Sequence, residues 1–246
     1  MKKEHMDDYQ LTDAELFLQD GLQTDLIWCE VHYFIYRTLG ENAEIINEQS
    51  NESFLRQVAY LQNSSQELML LCLARIYDKR SKRYEVRCLD TLLDKCIISN
   101  SGNFPLILEY YPALRMVSDF TGIDLNDEDC ESSETLTQYL RKILNSERVV
   151  SCMKNLHLIR SKTIAHNEHN VVFKDLDEFW VDVSFLLNLS KLFSSIIGSV
   201  FFNTHYRLED AVGNNLIDHS SYMQACWIID YLEQNIQKDK IIYWWE

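Results

Sequence analysis

A chain of 246 residues with only two prolines and six glycines lacks the turn residues that sheets and nucleotide-gripping loops need, so its composition predicts an all-α protein. A formal net charge of −15 opposes general, non-specific nucleic-acid binding but leaves room for a local basic site. Seven cysteines without a Cys-x-x-Cys pair, and a polar start (Met1-Lys2-Lys3-Glu4), read as a reduced cytoplasmic protein with no secretory targeting and no structural zinc site.

The predicted elements run as follows. Apolar residues from Leu16 through Ile27, Val31, Phe34 and Ile35 to Leu39 recur at helical spacing and predict a helix over about 13–39. A short helix is expected over 50–61. Ser64 with Glu67 three residues on has the form of a capping box. It would open a second helix over 67–77 that is apolar nearly all round and suited to the centre of a bundle. Residues 79–83 form a polar break, and a helix is expected again over 84–98. After the turn 99–103, Pro105 suits the first turn of a helix reaching Phe120 and stopping at Gly122, with Pro112 able to kink or divide it.

Five acids between Asn126 and Glu134 predict a solvated linker with a capacity to dock a basic partner. Helices are then expected over 133–146 and 148–164. A long one over 174–201 carries Leu176, Phe179, Val183, Leu186, Phe193, Ile197 and Val200 on its apolar face. Its most apolar stretch, 181–202, contains Asp182, Asn188 and Lys191. A charge near the centre is costly in lipid, so this reads as a buried core helix and the chain as having no membrane span. A last helix over 218–237 precedes the aromatic tail Tyr243-Trp244-Trp245, expected to pack on the bundle. Together these give one helical domain over 1–246, with the linker at about 126–134 and a helical extension over about 203–246.

The segment richest in chemistry is Leu158-Ile159-Arg160-Ser161-Lys162-Thr163-Ile164-Ala165-His166-Asn167-Glu168-His169. Five residues separate the arginine from the histidine. On an ideal helix that spacing leaves the two side chains about 120° apart and about 9 Å along the axis. They do not share one helix face, so either the helix ends between them or each meets a substrate from its own direction. A second motif-like string, Leu73-Ala74-Arg75-Ile76-Tyr77-Asp78, ends an apolar helix. It opens a basic run in which Arg75, Lys79, Arg80, Lys82, Arg83 and Arg87 outnumber the acids.

The Arg160…Ile164-Ala165-His166 motif, the Leu73–Asp78 string and the all-helical layout over about 13–201 resemble the HEPN superfamily, most closely its branch of abortive-infection proteins of the AbiU type. The resemblance implies a HEPN-like helical bundle that works as a twofold homodimer, with Arg160 and His166 as the catalytic pair of a metal-independent ribonuclease. Dimerisation would also bring two copies of the motif into one cleft. A histidine near neutral pKa can move a proton on or off oxygen, and an arginine can hold a scissile phosphate. Neither metal nor cofactor is implied.

Ser161 stands where the family often has Asn or Asp, and its hydroxyl still offers a hydrogen bond. Lys162, Asn167 and His169 are candidates to contact phosphate or base edges. Asp78 is a candidate to orient the pair, and Arg75, Arg80 and Arg83 are candidates for a phosphate-holding rim. The implied partner is RNA, and the implied setting is bacterial defence or a toxin held by an antitoxin protein. Three readings stay open: a ribonuclease, a non-catalytic HEPN-like module for RNA, nucleotide or protein, and a structural helical protein in which Arg160 makes a surface ion pair.

Overall fold

The computed structural model describes residues 13–49, 51–79, 81, 83–99, 111–160, 176–202, 209–211, 215–217, 219–237 and 240–243. These are helical apart from turns and one small hairpin. The chain order is α1 (Asp13–Leu16), a π-helical segment (Phe17–Leu22), α2 (Gln23–Glu41), α3 (Ala43–Asn47), α4 (Glu52–Ile76), α5 (Leu89–Ser99) and α6 (Tyr111–Thr121). There follow α7 (Ser133–Leu144), α8 (Glu147–Arg160), α9 (Leu176–Phe202), strands β1 (Glu209–Ala211) and β2 (Asn215–Ile217), and α10 (His219–Asn235). The strands pair antiparallel, Asp210 opposite Leu216, inside the stretch where the sequence predicts only helix.

The expected first helix exists as α1, the π segment and α2 without a break. The π segment holds Gly21 beneath Arg87, where an added Cβ would lie 3.1 Å from the arginine Cδ. Only glycine admits that approach without displacing the side chain.

The two helices expected over 50–61 and 67–77 are one, α4. Its cap is Asn51, whose Oδ1 accepts the N–H groups of Ser53 and Phe54 at 3.1 and 3.2 Å. Ser64 caps nothing, because it and Ser65 lie inside α4. Ser65 is fully buried, and its hydroxyl lies 3.4 Å from Nδ1 of His32. Burial of the surrounding apolar turns overrides a local capping preference.

Antiparallel packing of α2 on α4 makes the centre of the bundle. Asp25 meets Arg75, the Cys29 thiol donates to the Met69 carbonyl, and His32 meets Ser65, so one chain descends as the other rises. The remaining helices close around this pair and share one apolar core running from Ala14 to Ile241. Asn42 fastens the C-terminal segment by donating to the Ile242 carbonyl at 3.0 Å and accepting its N–H at 2.7 Å. Tyr243 packs on the core and donates to Glu233. Trp244 and Trp245 lie outside the described residues.

The acidic stretch is a short capped connection. Asp129 accepts the Asn126 N–H at 2.9 Å, and Ser132 accepts the Thr135 N–H at 3.1 Å to start α7. Gly122 ends α6 with φ +68°, the left-handed C-terminal stop that glycine allows. Pro112 lies within α6. Of the helix expected from Pro105 to Phe120, residues 111–120 belong to α6, and 105–110 lie outside the described residues.

Among the described residues, one helix, over Phe179–Phe202, is long and apolar enough to cross a membrane, and 78% of its most apolar window is buried inside the bundle. Its charges are answered within the protein. Lys191 donates to Glu30 of α2. Asp182 accepts from the Cys152 thiol at 3.0 Å and from Asn155 at 2.8 Å, both on α8. All seven cysteines are free thiols, five of them buried.

Candidate functional site

Arg160 is the last described residue of α8; its side chain, and all of Ser161, Lys162, His166, Asn167 and His169, lie outside the described residues. So does Arg80. What the structure gives is the ground from which the motif departs.

The face of α8 that packs inward carries Val149, Cys152, Met153 and Leu156, all buried. Along one edge of this face, Lys154 and His157 follow each other at i, i+3, the spacing of helix-surface neighbours. Arg160 continues that row. Beside the row, the end of α4, the end of α7 and the start of α5 enclose a cleft of about 400 Å³. Its floor is apolar, from Ile76, Leu89, Leu144, Val149 and Met153. Its rim is polar, from Asp78, Lys79, Asn145, Lys154 and His157.

Fixed contacts hold the walls. Tyr77 follows the last residue of α4 and donates its hydroxyl to the Leu186 carbonyl of α9 at 2.8 Å, and Ser190 Oγ donates to the Tyr77 hydroxyl oxygen at 3.0 Å. Burial pushes this phenol far above its ordinary value, so it is a structural donor. Asp90 faces the cleft, yet its carboxylate is held by Arg141 at 2.9 Å, and the same guanidinium reaches Asp94. Asp78 accepts the Lys79 N–H at 2.8 Å through one oxygen. Asn145 donates its amide to the Arg141 carbonyl at 2.9 Å, which leaves its own oxygen as an acceptor.

The basic run is divided among several surfaces. Arg75 pairs with Asp25 at 2.9 Å, and Arg87 covers Gly21. Both therefore serve the α2 side of the bundle. Asp25 sits between them, its carboxyl raised by burial, an effect that the two guanidinium charges only partly offset. Arg83 lines a separate shallow depression with Ser81, Tyr84 and Glu85. Of the run's described members, Lys79 alone lines the cleft, next to Asp78.

No protein-family model, curated protein or solved structure matches the chain. The site therefore rests on its own residues.

Reasoning from the motif alone passes over Lys154 and His157. The signal that could have found them is the Lys154, His157, Arg160 row at three-residue spacing. Among the described residues, no group of three or more His, Cys, Asp or Glu is placed to hold a metal ion.

Proposed function

We propose that the chain is a metal-independent endoribonuclease of the HEPN type, acting as a twofold dimer with Arg160 and His166 as its catalytic pair. The observation that carries this reading is the place of Arg160. It stands on α8 one turn after His157, which with Lys154 lines the polar wall of a cleft that could hold substrate.

The chemistry asks little of the protein. The ribose 2′-oxygen attacks the adjacent phosphorus, the bond from phosphorus to the 5′-oxygen breaks, and a 2′,3′-cyclic phosphate and a 5′-hydroxyl result. His166 takes the 2′-proton or supplies one to the leaving oxygen, and Arg160 neutralises charge gathering on the phosphate. Ser161, Lys162, Asn167 and His169 would support that pair. In a cell this activity suits bacterial defence or a toxin restrained by an antitoxin protein. A second reading, a non-catalytic HEPN-like binding module, is favoured by one observation: the described residues alone already give the cleft both an apolar floor and a polar rim.

Wild type, Arg160→Ala and His166→Ala should be incubated with mixed cellular RNA in excess EDTA, and new 5′-hydroxyl ends counted. Wild type should cleave, and each variant should lose about 100-fold or more, the usual contribution of a positioned proton-transfer group or charge donor. Equal cleavage by all three would remove the motif from the chemistry. No cleavage by any would select the binding module.

A further inference from the structure

We propose that the cleft at the ends of α4, α7 and α8 seats one unstacked nucleotide of a single-stranded RNA, its base on the apolar floor and its phosphate between Lys79 and Lys154. This deepens the ribonuclease reading and rests on it only for the identity of the strand's destination.

Size and surface come first. About 400 Å³ falls within the range of small-ligand sites, which combine apolar walls with a few polar groups. An apolar floor of Ile76, Leu89, Val149 and Met153 suits the face of a base. The acceptors at the rim, the second Asp78 oxygen and the Asn145 amide oxygen, suit the amino groups on base edges. Single-stranded RNA is generally read in this way, by splayed bases taken edge-on and face-on.

Charge supplies the second argument. The chain carries 38 acids against 23 bases, so a lysine has many possible partners. The bases around the cleft show the contrast. Arg141 is engaged by Asp90 and Asp94. Lys79 and Lys154 both line the cleft and have no ion-pair partner among the described residues. The acids that line the cleft with them are occupied, Asp90 by Arg141 and one oxygen of Asp78 by a backbone N–H. Two uncommitted cations over an apolar floor are complementary to a phosphate attached to a base.

Continuity supplies the third. From His157 to Arg160 the helix rises about 4.5 Å. A strand whose base sits in the cleft has only that distance to cover along α8 to reach the position of Arg160.

The test uses the full-length His166→Ala chain, so that RNA stays intact, and fluorescence anisotropy with a labelled mixed-sequence single-stranded decamer. Val150→Trp would fill the cleft; Val150 lines it and is 38% exposed, so the larger ring has room to enter from the surface. Binding should weaken at least tenfold. Lys79→Ala with Lys154→Ala should weaken binding and flatten its dependence on log salt by about 0.7, the contribution of one neutralised phosphate on a single strand. Lys154→Glu serves if the tryptophan variant melts early. Unchanged affinity in the well-folded variants, equal affinity for an abasic strand, or a cleft that binds a protein partner and ignores RNA would each overturn the proposal. Cleavage is scored in parallel with His166 intact. Cleft-dependent binding by a chain that cleaves nothing keeps the cleft and sinks the ribonuclease. Cleavage with binding indifferent to Val150→Trp does the reverse.

Discussion

Lys191 gives the sharpest physical test of this architecture. It sits in the middle of the most apolar helix, is 3% exposed, and donates to Glu30, itself 1% exposed. Changing Lys191 to Met keeps the volume and removes the charge, leaving the Glu30 carboxylate buried opposite an apolar chain. Breaking a buried pair from one side costs about 3–5 kcal/mol. For a chain of this length each kcal/mol moves the melting temperature by about 2–4 °C, so Lys191→Met should melt about 6–20 °C lower. Adding Glu30→Leu removes the stranded charge, and the double variant should return to within about 1 kcal/mol of wild type or exceed it. Circular dichroism melts and urea titrations of the four proteins close the cycle. A single variant costing under about 1 kcal/mol, or a double variant as unstable as the sum of the singles, would refute the facing of α2 and α9 described above.

Two further expectations concern α4 and Asp25. Asn51→Ala removes the side-chain acceptor for two N–H groups and should cost about 1 kcal/mol. Ser64→Ala, at a position interior to α4, should be neutral or slightly stabilising, since alanine is the better helix former; a larger loss at Ser64 than at Asn51 in urea titrations would restore two separate helices. Asp25 binds its proton more readily in the folded than in the unfolded chain, because burial raises its carboxyl above 3.8. Its favourable contribution is therefore full below that value and is lost as pH rises through the folded one. Asp25→Asn cannot ionise, so its stability relative to wild type should improve as pH rises above the ordinary carboxylate value of about 4. Melts showing a constant difference across that rise would contradict the buried setting of the carboxylate.

The long helices were legible because a 3.6-residue apolar period extends over many turns. The expected 174–201 and 218–237 are Leu176–Phe202 and His219–Asn235. Errors fell where a local signal opposed tertiary packing. Ser64 with Glu67 has the spacing of a cap, but Leu61, Ser65 and Met69 continue a stripe that α2 covers, and the helix runs through. The helix expected from Tyr84 begins instead at Leu89. Before it, Ser81 Oγ accepts the Arg83 N–H at 3.1 Å, a side-chain turn that competes with helical bonding. Charge in the 75–87 run was visible as composition, but composition carries no direction. Arg75 leaves for Asp25 while Lys79, four residues on and past the end of α4, lines the cleft.

The cleft itself was not legible for a related reason. Its walls come from residues about eighty positions apart, Ile76 and Met153 among them, and only the packing of α4 on α8 brings them together. What sequence could offer was a row on one helix. What the fold adds is that burial of Val149, Met153 and Leu156 sets the rotation of α8, and with it the edge along which Lys154 and His157 emerge. A site fixed by the rotation of a packed helix is held more precisely than one carried on a loop. Disturbing that rotation from the opposite side should therefore reach the cleft. Asp182 anchors α8 through Cys152, Asn155 and Arg148, so the geometry of the candidate site is tied to the same α9 whose seating depends on Lys191.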